Sequence, residues 1–175
     1  RYGESIRDGY VDQMAPDDME QYHRHLYYYK NALIRLFAIL DKLGHFLNER
    51  FELQTERIKQ RFSYFTVLRN MHQNKLHADL EQMLYDVKTR YKEPLARLRN
   101  QRNMEIHSIN ADLLDDLMKA AEQQYGRIRP ETDEIRTNLA DLKAACEMTL
   151  KSVALAFRYV KKAPAKQGNP TGKRP

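Results

Sequence analysis

The chain has 175 residues, 42% of them apolar, and a formal net charge of +6. That length predicts one domain with a real core, and Gly and Pro are too sparse between residues 16 and 163 (Pro16, Gly44, Pro94, Gly126, Pro130) for the turns of a β-sandwich or barrel, or for a Gly-rich phosphate loop. The single cysteine, Cys146, excludes an intrachain disulfide and every zinc site built on paired cysteines. No apolar run approaches about 18 residues, so no membrane span is predicted; RYGESIRDGY is not a signal peptide, and the expected location is the cytoplasm. The first residue is not Met, as expected of a trimmed chain.

Residues 1–15 read as an irregular segment, and residues 1–20 together carry −4. Pro16 suits the first turn of a helix, where its missing N–H costs little, and Asp17, Asp18 and Glu20 have the charge that a helix N-terminus favours. Apolar residues then recur at Tyr22, Leu26, Tyr29, Leu33, Leu36, Leu40, Leu43 and Leu47, a helical stripe broadened by Ile34, Phe37, Ile39 and Phe46. Gly44 sits beside this stripe, where close approach of another helix or plain tolerance accounts for it equally.

A break is expected near Phe51–Thr55, then a second helix marked by Ile58, Phe62, Phe65 and Leu68 and ending near Met71–Asn74. A third runs from about Leu76 through Leu80, Leu84, Val87 and Tyr91 toward Leu95 and Leu98, and Pro94 either kinks it or starts a new helix. A short helix is expected over 111–123, stopped by Gly126. Pro130 opens a last long helix with the stripe Ile135, Leu139, Leu142, Cys146, Leu150, Val153, Phe157 and Val160, which makes Cys146 a small buried hydrophobe. Residues 163–175 form a basic, flexible tail; residues 161–175 carry +5, and 21–160 are mildly basic, also at +5. The expected fold is all-α: an antiparallel helical bundle of about four main helices plus short extra helices, spanning 16–162.

The chemistry concentrates at Arg102, Asn103 and His107, within RNMEIH. The third stripe steps from Leu98 to Arg102, so an Arg stands where a bundle would place a Leu. A buried guanidinium without partners is expensive. Arg102 is therefore either paired, with Glu105 or an acid on a neighbouring helix, or lines a polar cleft. His107 alone reads as a helix-end histidine whose charge suits the C-terminal dipole. Together the two residues offer a phosphate-matching fork and a proton carrier, the abilities that RNA cleavage through a ribose 2′-OH requires. Five residues of ideal helix leave their side chains about 140° apart, a gap closed by a helix end, by the reach of Arg, or by a second copy across a two-fold axis.

RNMEIH fits R-x-x-x-x-H with Asn directly after the Arg, and in this it resembles the signature of the HEPN superfamily (higher eukaryotes and prokaryotes nucleotide-binding domains), over most of residues 17–162. The resemblance implies a bundle of four to five helices with the motif after a long central helix. It implies a metal-independent endoribonuclease, often a toxin or defence nuclease, working as a homodimer whose two motifs face one cleft. His107 would act on the 2′-OH or the leaving 5′-oxygen, Arg102 would hold the scissile phosphate, and Asn103 would orient the site. Neither metal nor cofactor is implied. The family also contains catalytically inert modules that bind RNA, nucleotide or a protein partner, and others that pair with a nucleotidyltransferase; an antitoxin is a further expected class of partner.

Beside the motif, Arg99 and Arg97 are candidates to extend a phosphate surface. His23 and His25, two apart, and His72 and His77, five apart, are badly spaced to share a metal from one helix. Tyr29 lies on the first stripe, whereas Tyr27 and Tyr28 must point elsewhere, toward bases or a partner helix.

Overall fold

A computed structural model describes residues 14–110 and 132–162, with side chains for 14–105 and 135–162. The described residues form five α-helices, α1 (Pro16–Arg50), α2 (Tyr64–Gln73), α3 (Ala78–Arg90), α4 (Lys92–Asn110) and α5 (Thr132–Lys162), with one 3-10 turn at Thr55–Arg57 and no strand. The short helix expected over 111–123 and the Pro130 start fall outside the described residues.

α1 begins as its sequence dictates: Pro16 stands in the first turn and Asp17 and Asp18 follow it. Its stripe is buried from Tyr29 through Leu33, Leu36, Leu40 and Leu43 to Leu47. The corner after it contains no glycine, and Glu52 and Gln54 take positive φ there. Side chains hold that corner instead. Asn48 accepts the Thr55 N–H at 2.9 Å, and Asn70 of α2 donates to the Leu53 carbonyl at 3.0 Å.

α2 starts later than the apolar spacing predicts. Ile58 is exposed, outside any α-helix, and the helix opens only at Tyr64. Gly44 has its reason in that opening: a Cβ there would lie 2.7 Å from the Tyr64 Cα. The helix start of α2 is therefore seated on α1 at backbone contact, and close approach, not tolerance, explains the glycine.

The third helical run is two helices. It breaks at Tyr91, and Pro94 falls in the first turn of α4, where no N–H donor is needed. α1, α2 and α5 run one way, and α3 and α4 run back between them. The side-chain pairs show it for α4 and α5: Tyr91–Lys151, Arg97–Asp141 and Gln101–Asn138 join falling numbers on α5 to rising numbers on Tyr91 and α4.

α5 packs against α1, α3 and α4 at once. Its buried face is made of Ile135, Asp141, Ala145, Met148, Thr149, Ser152 and Ala156. Small side chains there let three helices approach closely. Of the apolar stripe expected to be buried, Ile135 is buried and Leu142 and Val153 are half-buried against the core, but Cys146, Leu150 and Phe157 are turned about a quarter turn away from that face. Leu150 is 70% exposed, Phe157 56%, and Cys146 is exposed as well, so Cys146 is not the buried hydrophobe its spacing suggests. Ile39 of α1, 50% exposed, and Phe46, stacked on Phe157 at 5.1 Å, extend this apolar strip onto the parallel neighbour.

Candidate functional site

Three polar side chains fix the height of α4 against α1 and α5. The Tyr29 hydroxyl donates to Gln101 Oε1, and Gln101 Nε2 donates to Asn138 Oδ1 at 2.6 Å. A glutamine whose two amide ends are bound to two different helices allows little sliding of its own. Arg97 pins the same pair of helices as a fork: its Nε and Nη2 donate to the two Asp141 carboxylate oxygens at 2.7 and 2.8 Å. The bond to Asp141 holds the Arg97 guanidinium above its usual pKa. Arg97 thus has a structural carboxylate partner, which leaves it little to offer a phosphate.

Arg102 is one position beyond Gln101 and differs from Arg97 in every respect. Its guanidinium lies over the Phe37 ring, 4.7 Å from the centroid. Its Nη2 donates to the neighbouring Asn103 Oδ1 at 2.9 Å. Its Nε is buried and has no hydrogen-bond partner. Glu105, one candidate partner, pairs with Lys30 instead, at 2.9 Å. No described carboxylate pairs with Arg102, so the reading of Arg102 as a closed ion pair falls. What remains is a half-buried cation held on an aromatic ring, with an unsatisfied donor.

Asn103 is exposed and tied to Arg102. His107 lies on α4, but its side chain is outside the described residues. α4 continues to Asn110, so no helix end intervenes at His107. The reach of Arg102, or a second copy, remains as the way to bring the two residues together. Arg99 is exposed and leans over the Phe65 ring of α2, 5.7 Å from its centroid.

One turn below Tyr29, His25 is buried and stacked on the Tyr29 ring at 5.8 Å. Burial lowers its pKa below the usual value of 6.5. Tyr27 and Tyr28 are exposed, as the stripe requires. Among the described residues no group of three or more His, Cys, Asp or Glu is placed to hold a metal ion, and no helix is long and apolar enough to cross a membrane. A cavity of about 500 Å³ at the far end of α1 is lined by His45, Glu49, Glu52, Glu56 and Phe62 among others; its acids disfavour an anionic ligand.

Sequence reasoning found Arg102 through its place on an apolar stripe. It missed Phe37, taken only as added apolar surface, and Gln101 with Tyr29 and Asn138. The signal for Gln101 was present: it lies three residues after buried Leu98, toward the bundle interior.

The sequence matches the Cthe2314-like HEPN family over residues 1–161. The chain belongs to the HEPN family. Neither a curated protein nor a solved structure matches it. HEPN domains are all-helical, commonly dimerise and are often ribonucleases, and the five-helix architecture described above agrees with that fold.

Proposed function

We propose that this HEPN chain is a metal-independent endoribonuclease acting as a homodimer, with Arg102, Asn103 and His107 as its working residues. The observation that carries the reading is the state of Arg102. A charged fork on a stripe position, set on Phe37, with a buried and unsatisfied Nε and no carboxylate, is prepared for an anion. A scissile phosphodiester supplies one.

The reaction needs two proton movements and one charge stabilised. A base takes the proton of the ribose 2′-OH, O2′ bonds to phosphorus, and the bond from phosphorus to the 5′-oxygen breaks. The leaving oxygen takes a proton, and the ends are a 2′,3′-cyclic phosphate and a 5′-OH. Imidazole chemistry suits either proton step, and that is the role given to His107. Arg102 neutralises the charge that builds on the phosphoryl oxygens, and Asn103 holds the Arg102 fork in orientation. Arg99, in no ion pair among the described residues, extends the phosphate surface; Arg97, bound to Asp141, is left out of it.

The homodimer draws support from the strip of Leu150, Phe157 and Ile39, whose exposed apolar side chains favour a second copy over water. The strip lies on the α5 side of α1, across that helix from Phe37, so it does not by itself bring two α4 helices together.

The test is RNA cleavage in EDTA on a panel of tRNAs and single-stranded RNAs, comparing the native chain with Arg102→Ala and His107→Ala. The expected result is cleavage that survives EDTA, leaves cyclic phosphate ends and is lost in both variants. Absence of cleavage by the folded native chain would overturn the enzyme reading in favour of an inert module that binds RNA, nucleotide, an antitoxin or a nucleotidyltransferase.

A further inference from the structure

One edge of α4 carries Lys92, Ala96, Arg99 and Asn103, spaced 4-3-4, so these residues stand one above another beside Arg102. The facing edge of α2 carries Phe65, Arg69 and His72, spaced 4-3. The α2 edge runs opposite to the α3–α4 run and meets it in two rungs, one on α4 and one on α3. Arg99 lies over Phe65 at the motif end. At the other end the His72 ring stacks on Tyr85 of α3 at 5.2 Å, and Lys88 Nζ lies 4.8 Å from the centroid of that same Tyr85 ring. Arg69 and Lys92 stand between these rungs, close to Lys88.

We propose that Arg69, Lys88, Lys92 and Arg99 form a phosphate track that carries single-stranded RNA away from Arg102 along the groove between α2 and the α3–α4 run. This rests on the ribonuclease reading of the Arg102 site for its substrate, and it adds three cations, Arg69, Lys88 and Lys92, to Arg99.

None of the four cations makes a salt bridge among the described residues, unlike Lys30, Arg97 and Lys151, which do. The cluster is close enough to act on itself: burial first, then Arg69 and Lys92, lower the pKa of Lys88. Glu81 is the acid that faces Lys88 and works the other way, but it is already bound to His72 Nδ1 at 3.0 Å. Like charges gathered on one face that outnumber the acid facing them raise the energy of the free protein, and a polyanion relieves that. The track from Arg102 to Lys88 spans fourteen residues of sequence, or roughly 20 Å if read at helical rise.

The aromatic rings narrow the class of contact. Phe65 lies under Arg99, and Tyr85 is shared by His72 and Lys88, so both rings support cations and leave little face for stacked bases. Recognition along the track is therefore of the backbone, tolerant of sequence and sensitive to salt.

The test uses a fluorescein-labelled single-stranded 2′-O-methyl RNA, which lacks the attacking hydroxyl and so reports binding without cleavage. Affinity is measured from 50 to 300 mM NaCl for the native chain, for the triple variant Arg69→Gln, Lys88→Gln, Lys92→Gln, and for a control Lys42→Gln, Lys143→Gln on the α1–α5 face. The expected result is a loss of about tenfold or more in the triple variant at 100 mM salt, with a log–log salt slope shallower by about 2. The control keeps native affinity within about twofold, and circular dichroism shows all three chains folded. A triple variant with native slope and affinity overturns the track, whether or not the native chain cleaves RNA. A native chain that binds with the expected slope dependence yet cleaves nothing supports the track and overturns only the ribonuclease reading. A native chain that does not bind overturns both.

Discussion

The Arg102 guanidinium rests 4.7 Å from the centre of the Phe37 ring while its own Nε, buried, bonds to nothing. The ring holds the cation without satisfying its donors, because a π face attracts charge but accepts hydrogen bonds only weakly. An anion at this point gains a charge already partly desolvated and oriented. Arg102→Lys keeps the charge and loses the fork. Its expected effect on RNA cleavage is a fall in kcat of about 100-fold, with KM changing less. Phe37→Leu keeps the apolar contact and removes the π face, and is expected to lower kcat by less than Arg102→Lys does. Steady-state kinetics on one cleavable RNA separates these outcomes; full activity in Arg102→Lys would show that point charge alone suffices.

Gly44→Ala tests the seat of α2 on α1. In an open helix this change stabilises by about 1 kcal/mol. Here the new Cβ would stand 2.7 Å from one backbone atom of Tyr64 and 2.9 Å from another, and backbone cannot rotate away. The expected result is a destabilisation of about 1–3 kcal/mol, read as a fall in Tm of roughly 2–12 °C. The sign decides: a rise in Tm would mean that the two helices are not in contact at this point.

Burial of His25 points to a pH dependence of the fold with a definite sign. Burial places its pKa below 6.5, so the native state prefers the neutral ring. In the unfolded chain the ring gains its proton as pH falls through about 6.5. Below that the unfolded state binds more protons than the native state, and stability falls until the native pKa is passed. The stabilising contribution is thus present above pH 6.5 and lost beneath it. Thermal melts at pH 8, 7, 6 and 5 are expected to show a steeper acid-side fall in Tm for the native chain than for His25→Gln. Because His25 stacks on Tyr29, which holds Gln101, hydrogen exchange in the middle of α4 is expected to rise over the same window.

The site was more legible in the sequence than the packing around it. Arg102 announced itself because a charge on an apolar stripe must be explained, and the stripe Leu95, Leu98, Arg102 survives in the structure with both leucines buried. The start of α2 was not legible. Ile58 and Phe62 keep helical spacing with Phe65, yet the chain from Phe51 to Ser63 is organised by Asn48 and Asn70, whose partners are distant in sequence. The orientation of α5 was not legible either. Apolar spacing gives a period, but which side of the helix is covered depends on three neighbours that accept Ala145, Ser152 and Ala156. The cationic groove was invisible for a related reason: Arg69, Lys88 and Lys92 belong to three helices and meet only through the fold.

The turned stripe of α5 leads to the last prediction. Leu150 and Phe157 stand in the open, with Ile39 and Phe46 beside them on a parallel helix. A two-fold axis through such a strip places it against itself and closes the assembly at two copies. Light scattering at micromolar concentration is expected to give a dimer for the native chain and a monomer for Leu150→Glu, Phe157→Glu. Because both side chains are exposed, the double variant is expected to keep the native helical content. Cys146 lies on the same strip and gives an independent reading. Its thiol, pushed above its usual pKa by partial burial, is expected to react slowly with maleimide, more slowly still in the native dimer than in the monomeric variant. A native chain that is monomeric and labels at Cys146 as fast as the variant would remove the strip as the dimer surface.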